Sequence, residues 1–154
     1  MTEDIMKFII NETKAKDPQM DSWNFIDFAP VFKAGQRIAS YNAWNKKVDV
    51  VVKTTQLAPT LHLPPESRIA LPTGVVVEDL PEDHILEVSI NPGHALQRGL
   101  HCPAPTRVMN GEQVFINVHN ISDSLGLITS GEWLGMGRLV HIPKYEIVSV
   151  KSDK

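Results

Sequence analysis

The sequence contains few features that would allow disulfide crosslinking, membrane insertion or general nucleic-acid binding. One cysteine, Cys102, occurs in 154 residues, which excludes an intrachain disulfide and favours a reducing compartment. No apolar run approaches the roughly 20 residues of a membrane-spanning helix, and the acidic start MTEDIMKF lacks the basic and apolar regions of a signal peptide. A formal net charge of −3 argues against general nucleic-acid binding. We therefore expect an intracellular protein without membrane contact.

The first residues predict an amphipathic helix. From Thr2 to Lys16, the apolar residues Ile5, Phe8 and Ile9 recur at helical spacing, and Asp17-Pro18 is a stop signal. Such a helix either packs on its own domain or docks on a partner or neighbouring subunit, and the sequence leaves both open.

An aromatic-rich arm follows, between Gln19 and Trp44. Aromatic side chains concentrated in one segment are typical of a packed arm or of a binding surface. Two of the three tryptophans lie here. The candidate partner-binding residues are Trp23, Phe25, Phe28, Phe32 and Trp44.

Short strands joined by tight turns dominate the remainder. His84 to Ile90 and Gln113 to His119 alternate apolar and polar residues, as half-buried strands do. Proline and glycine mark turns at Pro72-Thr73-Gly74, Leu80-Pro81 and Asn91-Pro92-Gly93. His101 to Asn110 is expected to be a loop. This pattern predicts an all-β barrel or sandwich.

The same turns carry a family resemblance. The segments Leu63-Pro64-Pro65-Glu66, Pro72-Thr73-Gly74, Leu80-Pro81, Gly93 and Gly99-Leu100 resemble, in type and spacing, the core of the dUTPase-like superfamily, which includes trimeric dUTPases and dCTP deaminases. The resemblance runs from Val48 to Val150. It implies a distorted β-barrel over residues 46–154, with residues 1–45 as an added N-terminal helix and aromatic arm. It also implies a homotrimer with sites between subunits and exchanged C-terminal strands.

The first two catalytic motifs of that family are poorly matched. In the first, Asp49 is the one match of chemical type, and an exposed strand aspartate is the ordinary alternative. In the second, the family's arginine and serine correspond to Asn91 and Pro92. An amide lacks the charge and fork of a guanidinium, and proline offers no donor to phosphate. Gly93, His94 and Arg98 remain as candidates for a residual pocket.

The other motifs are missing their reactive groups. The segment HCPAPTRVMNG contains no Asp, Glu or Tyr, so the carboxylate that activates water is absent whether the motif aligns on Thr106 and Met109 or on Arg107 and Asn110. Met136 takes the place of the phosphate-binding glutamine, and no glycine-rich arginine tail follows the last strand. Glu112 is a poor substitute for the deaminase glutamate, because it precedes the strand that would carry it.

These comparisons predict a non-enzymatic, homotrimeric structural or protein-binding protein, with a phage or viral capsid as one setting and a virion as an alternative location. A deoxynucleotide enzyme with a rebuilt site, using Asp49, His94, Arg98 and Glu112, is the alternative.

His94, His101 and Cys102 match no recognised zinc spacing, so we predict no metal and no cofactor. His101 and Cys102 are also a poor nucleophile–base pair, because neighbours on a strand face opposite ways.

Overall fold

The computed structural model describes residues 7–10, 17–20, 25–42, 46–56, 58–95 and 98–143. These residues form fourteen strands and one short helix. The strands are β1 Lys7–Ile10, β2 Gln19–Met20, β3 Ile26–Phe28, β4 Arg37–Asn42, β5 Lys46–Val51, β6 Lys53–Thr54, β7 Pro59–Leu63, β8 Arg68–Glu78, β9 His84–Ile90, β10 Leu100–His101, β11 Thr106–Val108, β12 Gln113–Asn120, β13 Gly126–Thr129 and β14 Gly135–His141, and the helix is α1 Pro92–Ala95. The all-β prediction is therefore confirmed.

Three antiparallel sheets make up the structure. The largest has the strand order β10-β12-β8-β4-β5, and β1 also pairs with β8. The second has the order β11-β9-β14-β3-β2, and the third the order β13-β7-β6. Consecutive strands often belong to different sheets, so the chain crosses repeatedly between layers around one core.

The predicted N-terminal helix is wrong where the structure describes it. Residues 7–10 form β1, which pairs with residues 75–78 of β8. A free strand edge accepts backbone hydrogen bonds from any extended segment, and this tertiary pairing overrides the helical spacing of a short apolar segment. Residues 2–6 and 11–16 of the predicted helix lie outside the described residues.

The Pro72-Thr73-Gly74 segment is a bulge inside a strand, where the sequence predicted a turn. Strand β8 runs from Val76 to Pro72 while its partner β12 advances only from Gln113 to Phe115. Gly74 has a φ of 73°, which glycine adopts without strain. The fully buried Thr73 hydroxyl donates to the Val114 carbonyl at 2.7 Å. The extra residues therefore bend β8 without leaving this buried hydroxyl unbonded.

The core is formed by the inward faces of the alternating strands. In β12 every second residue is buried, as the sequence predicted, and β9 follows the same alternation over most of its length. Among the largest fully buried side chains are Phe28, Leu61, Leu63, Leu71, Leu86, Leu100, Ile116, Ile128 and Leu134.

Strands from the predicted N-terminal arm take part in these sheets. Strand β3 pairs with β14, and β4 lies between β8 and β5. The division into residues 1–45 and 46–154 stays a prediction. In the parts of the chain that the structure describes, no helix has the length and apolar character for a membrane crossing.

Gly135 tests how tightly this core is packed. A Cβ at Gly135 would lie 2.6 Å from Cδ1 of the fully buried Ile116 and 3.3 Å from Cβ of Phe28. We expect Gly135→Ala to lower the free energy of unfolding by about 1–3 kcal/mol through overpacking. Gly93→Ala is the control, because its Cβ would make an ordinary 3.4 Å contact. Urea denaturation measures both, and equal stability of the two variants would contradict the packing described.

Candidate functional site

The turn between β9 and α1 holds the residues aligned with the family's second motif. Its polar groups bond to one another: the Asn91 side-chain oxygen accepts from the Gly93 amide at 3.0 Å, and the Asn91 carbonyl accepts from the His94 amide at 3.1 Å. The Asn91 amide donates to the Leu134 carbonyl at 2.6 Å. Asn91 thus caps a single helical turn, with Pro92 in the favoured first helical position.

Arg98 makes hydrogen bonds through Nε and Nη1 and an ion pair with Glu132. Its Nε donates to the His94 carbonyl at 2.8 Å and its Nη1 to the Leu127 carbonyl at 2.8 Å. Nη1 also lies 3.1 Å from Glu132 Oε1, and Nη2 lies 3.1 Å from Glu132 Oε2. Only the Nη1 contact is a hydrogen bond; the buried Nη2 is close enough for an ion pair but makes no hydrogen bond.

The Arg98–Glu132 pair joins three parts of the fold. Glu132 Oε1 also accepts from the Thr129 amide at 3.0 Å, so the carboxylate closes the turn after β13. The two side chains are 31% and 21% exposed, which places the pair partly out of water. Arg98 therefore acts as a crosslink between α1, β13 and the 130–134 turn, and Glu132 is the partner that the sequence did not identify.

The segment aligned with the third motif contains a strand, where the sequence predicted a loop. Thr106 to Val108 form β11, paired with β9. Beyond it, the side chain of Glu112 accepts from the Met109 amide at 2.8 Å. Asn110 accepts from the Leu80 amide, also at 2.8 Å. The predicted candidate Glu112 thus holds the turn before β12.

Asp49 and Glu112 line two different grooves. Asp49 is exposed on the edge strand β5 and lines a groove of about 320 Å³ together with Val48, Val51 and Leu125. Glu112 lines another groove, also of about 320 Å³, beside β11. Of the predicted pocket residues, the structure brings together Asn91, Gly93, His94 and Arg98 around α1 and its exit.

The candidate aromatic residues have different environments. Phe28 and Phe32 are 1% and 2% exposed and belong to the hydrophobic core, so the prediction that they face a partner is wrong for this chain's described structure. Phe25 is half-buried, in a groove beside Pro105 and Met136. Trp23 and Trp44 lie outside the described residues.

Cys102 does not have the surroundings of an activated thiol. Burial raises the pKa of Cys102, against smaller lowering effects of backbone bonds at Ile90 and Ala104. Its Sγ lies 3.2 Å from the Ala104 carbonyl, to which it donates. A raised pKa keeps the thiol protonated and weakly nucleophilic. Among the described residues, no group of three or more His, Cys, Asp or Glu is arranged to hold a metal ion.

Two pairs of histidines face each other across strands. His84 and His141 have ring centres 5.1 Å apart, and His101 and His119 have ring centres 6.3 Å apart. Burial lowers the pKa of His119, as do the charges of Arg68 and His101, while Glu66 opposes them. Neither pairing is visible in the sequence without the strand register.

The Arg98 crosslink predicts a loss of stability on mutation. Arg98→Ala removes bonds that a charged group makes to partly buried acceptors, so we expect a decrease of about 1–3 kcal/mol in unfolding free energy. Arg138→Ala is the matched control: Arg138 is 60% exposed and contacts Glu87 at 3.4 Å, and such surface pairs contribute about 0–1 kcal/mol. Denaturant titration compares the two variants, and similar losses would argue against a structural role for Arg98.

His119 predicts a pH dependence of stability. Its folded pKa is lowered from 6.5, so the unfolded chain binds the proton first. The stabilising contribution is present above about pH 6.5 and is lost as pH falls through the folded value. We expect His119→Gln to lose less stability than the wild type when the pH is lowered across this range. Chemical denaturation at several pH values measures this, and identical pH profiles would contradict it.

Several solved structures have the same fold as this chain. No protein-family model matches the sequence, and no curated protein matches it. Among solved structures, the dUTPase from phage phi11 of S. aureus has a TM-score of 0.68 at 14% identity, with 96% of each chain covered. The dUTPase of Staphylococcus bacteriophage 80alpha, solved with dUPNHPP, has a TM-score of 0.65 at 13% identity, covering 96% of this chain and 88% of that one. The chain therefore has a dUTPase-like fold, as its turn residues predicted.

Proposed function

We propose that this protein is a non-catalytic, homotrimeric, protein-binding member of the dUTPase-like fold, acting in a phage or viral setting such as the decoration of a capsid. The observation that carries the proposal is the commitment of Arg98 to Glu132 and to two backbone carbonyls. The adjacent carboxylate offsets the guanidinium charge, so Arg98 attracts a phosphate less strongly than an unpaired arginine would.

The neighbouring turn supports the same conclusion. The Asn91 side-chain oxygen is bonded to the Gly93 amide, so a backbone donor at this turn is already occupied. Pro92 has no amide hydrogen. The segment 101–111 has no carboxylate to activate water. The chain lacks a group that the resembling enzymes use to bind a triphosphate and a group that they use to hydrolyse it. It nevertheless has the strands and turns of the fold.

The surface of β5 supports a role in protein binding. Val48 and Val51 are 46% and 43% exposed, and Leu125 beside them is 57% exposed. Neighbouring exposed apolar side chains around a groove are typical of interaction surfaces. In a homotrimer this surface is present three times, which increases the affinity for a repetitive partner such as a capsid.

The structural neighbours support the phage setting. Both are phage dUTPases. The phage 80alpha enzyme belongs to the phage dUTPases that control transfer of virulence genes by a proto-oncogenic G protein-like mechanism. This is a precedent for regulation by a protein of this fold, which we extend to this chain as part of the proposal.

Turnover of deoxynucleotides is the decisive measurement. We expect the purified full chain, with Mg²⁺ and either dUTP or dCTP, to form no pyrophosphate, phosphate or deaminated product above a protein-free blank. An active dUTPase in the same buffer is the positive control. Reproducible turnover that disappears in an Arg98→Ala variant that still folds would overturn the proposal in favour of a deoxynucleotide enzyme with a rebuilt site.

Light scattering tests the assembly separately. We expect a mass three times the 17.2 kDa of one chain, and a monomer mass would contradict the homotrimer while leaving the turnover result intact. The full chain is required for both measurements. Deletion of residues 1–45 would remove β3, β4 and the core side chains Phe28 and Phe32, so loss of binding in that deletion would not distinguish a lost surface from a lost fold.

A further inference from the structure

Two histidines are paired at the end of the β9–β14 ladder, with ring centres close enough for both rings to bind one metal ion. We propose that His84 and His141 bind one divalent late first-row transition metal ion, of the class Zn²⁺, Ni²⁺ or Cu²⁺, through their imidazole nitrogens. Neither Arg98 nor Glu132 belongs to this ladder, and the proposal is independent of whether the protein is an enzyme.

The strand register brings the two side chains as close as a sheet allows. His84 is opposite His141 in the antiparallel ladder. The Ile142 amide donates to the Asp83 carbonyl at 2.6 Å, and this bond flanks the pair on its outer side. A pair flanked by such bonds is a non-hydrogen-bonded pair, in which Cα atoms are about 4.5 Å apart and side chains approach most closely.

The ring spacing matches two ligands on one ion. A metal bound by an imidazole nitrogen at about 2.1 Å lies about 3.2 Å from the ring centre. Two rings on one ion then have centres about 4.5 Å apart at a ligand angle of 90° and about 5.2 Å apart at a tetrahedral angle. The observed separation of His84 and His141 is 5.1 Å, within this range, and the two ring planes are inclined by 64° in a T-shaped contact.

The hydrogen bond of His84 leaves its other ring nitrogen available for a metal ion. Its Nδ1 lies 2.9 Å from the Glu82 carbonyl oxygen, and a carbonyl accepts but cannot donate. In the neutral imidazole this bond places the hydrogen on Nδ1, which leaves the lone pair on Nε2. Metal-binding histidines commonly donate their other ring N–H to a backbone carbonyl in this manner, which fixes the ring.

The second histidine pair lacks these features and serves as an internal control. The Ile121 amide donates to the Gly99 carbonyl, which makes Leu100 and Asn120 the close pair. His101 and His119 form the wider, hydrogen-bonded pair. Their ring centres are 6.3 Å apart, beyond the tetrahedral spacing. The positive charge of Arg68 acts on His119 and opposes a bound cation.

The metal class follows from the ligands. Imidazole suits zinc, copper and nickel, whereas magnesium and calcium prefer oxygen ligands. In the part of the chain that the structure describes, no group of three or more His, Cys, Asp or Glu is arranged for a metal. Water therefore completes the coordination, and the site keeps open positions for an outside ligand.

Calorimetric titration with Ni²⁺ tests the proposal on the full chain, purified without a histidine tag and above the ordinary imidazole pKa of about 6.5. We expect one ion per chain, with affinity reduced at least about tenfold in His84→Ala and in His141→Ala. The double variant His101→Ala/His119→Ala should bind as the wild type does. Unchanged binding in His84→Ala, or equal losses in the control, would show adventitious surface binding and overturn the proposal.

Paramagnetic broadening gives a second measurement that needs no variant. Ni²⁺ bound at the pair should broaden the amide NMR signals of Ile85 and Val140, which adjoin the two histidines, before that of Val118 beside His119. Broadening first at Val118 would overturn the proposal. Far-UV circular dichroism of each variant separates loss of a ligand from loss of the fold.

Discussion

The pairing of β8 with strands on both of its edges is the constraint on which the rest of the structure depends. On one edge β12 pairs with it over most of its length, and on the other β4 pairs with residues 68–69 and β1 with residues 75–78. Such a strand can bend only where an irregularity is built in, and Gly74 supplies it with a positive φ. The buried faces of β9 and β14 meet those of β8 and β12 around a shared core.

Those parts of the fold that depend on local periodicity were predictable from sequence. The alternation in β9 and β12 and the proline turns between strands each follow from a few adjacent residues. The parts that depend on a distant partner were not. Residues 7–10 form a strand because the edge of β8 is available to them. The Pro72-Thr73-Gly74 segment stays within β8 because Val114 and Gln113 bond to it from β12, whereas the same letters elsewhere would form a turn.

The contacts of the candidate site also depend on distant partners and were not predictable from sequence. Arg98 was identified from its position in a motif, but its partner Glu132 lies 34 residues further along the chain, and no spacing rule connects them. His84 and His141 are opposite each other only through the β9–β14 register, which the alternation of a single strand does not determine. Phe28 and Phe32 were grouped with the other aromatic residues because composition does not distinguish a core residue from a surface one.

The ion pair between Arg98 and Glu132 has a structural role in this chain. A guanidinium that stabilises developing charge on phosphorus must be free to follow that charge, and its attraction must not already be satisfied. In this chain the same type of residue joins α1, β13 and a turn, with an acid neutralising it. Releasing Arg98 to a ligand would leave Glu132 partly buried without its cation, and that desolvation cost opposes binding. The ion pair thus stabilises the scaffold and disfavours anion binding at this arginine, which agrees with the proposed recognition through other surfaces.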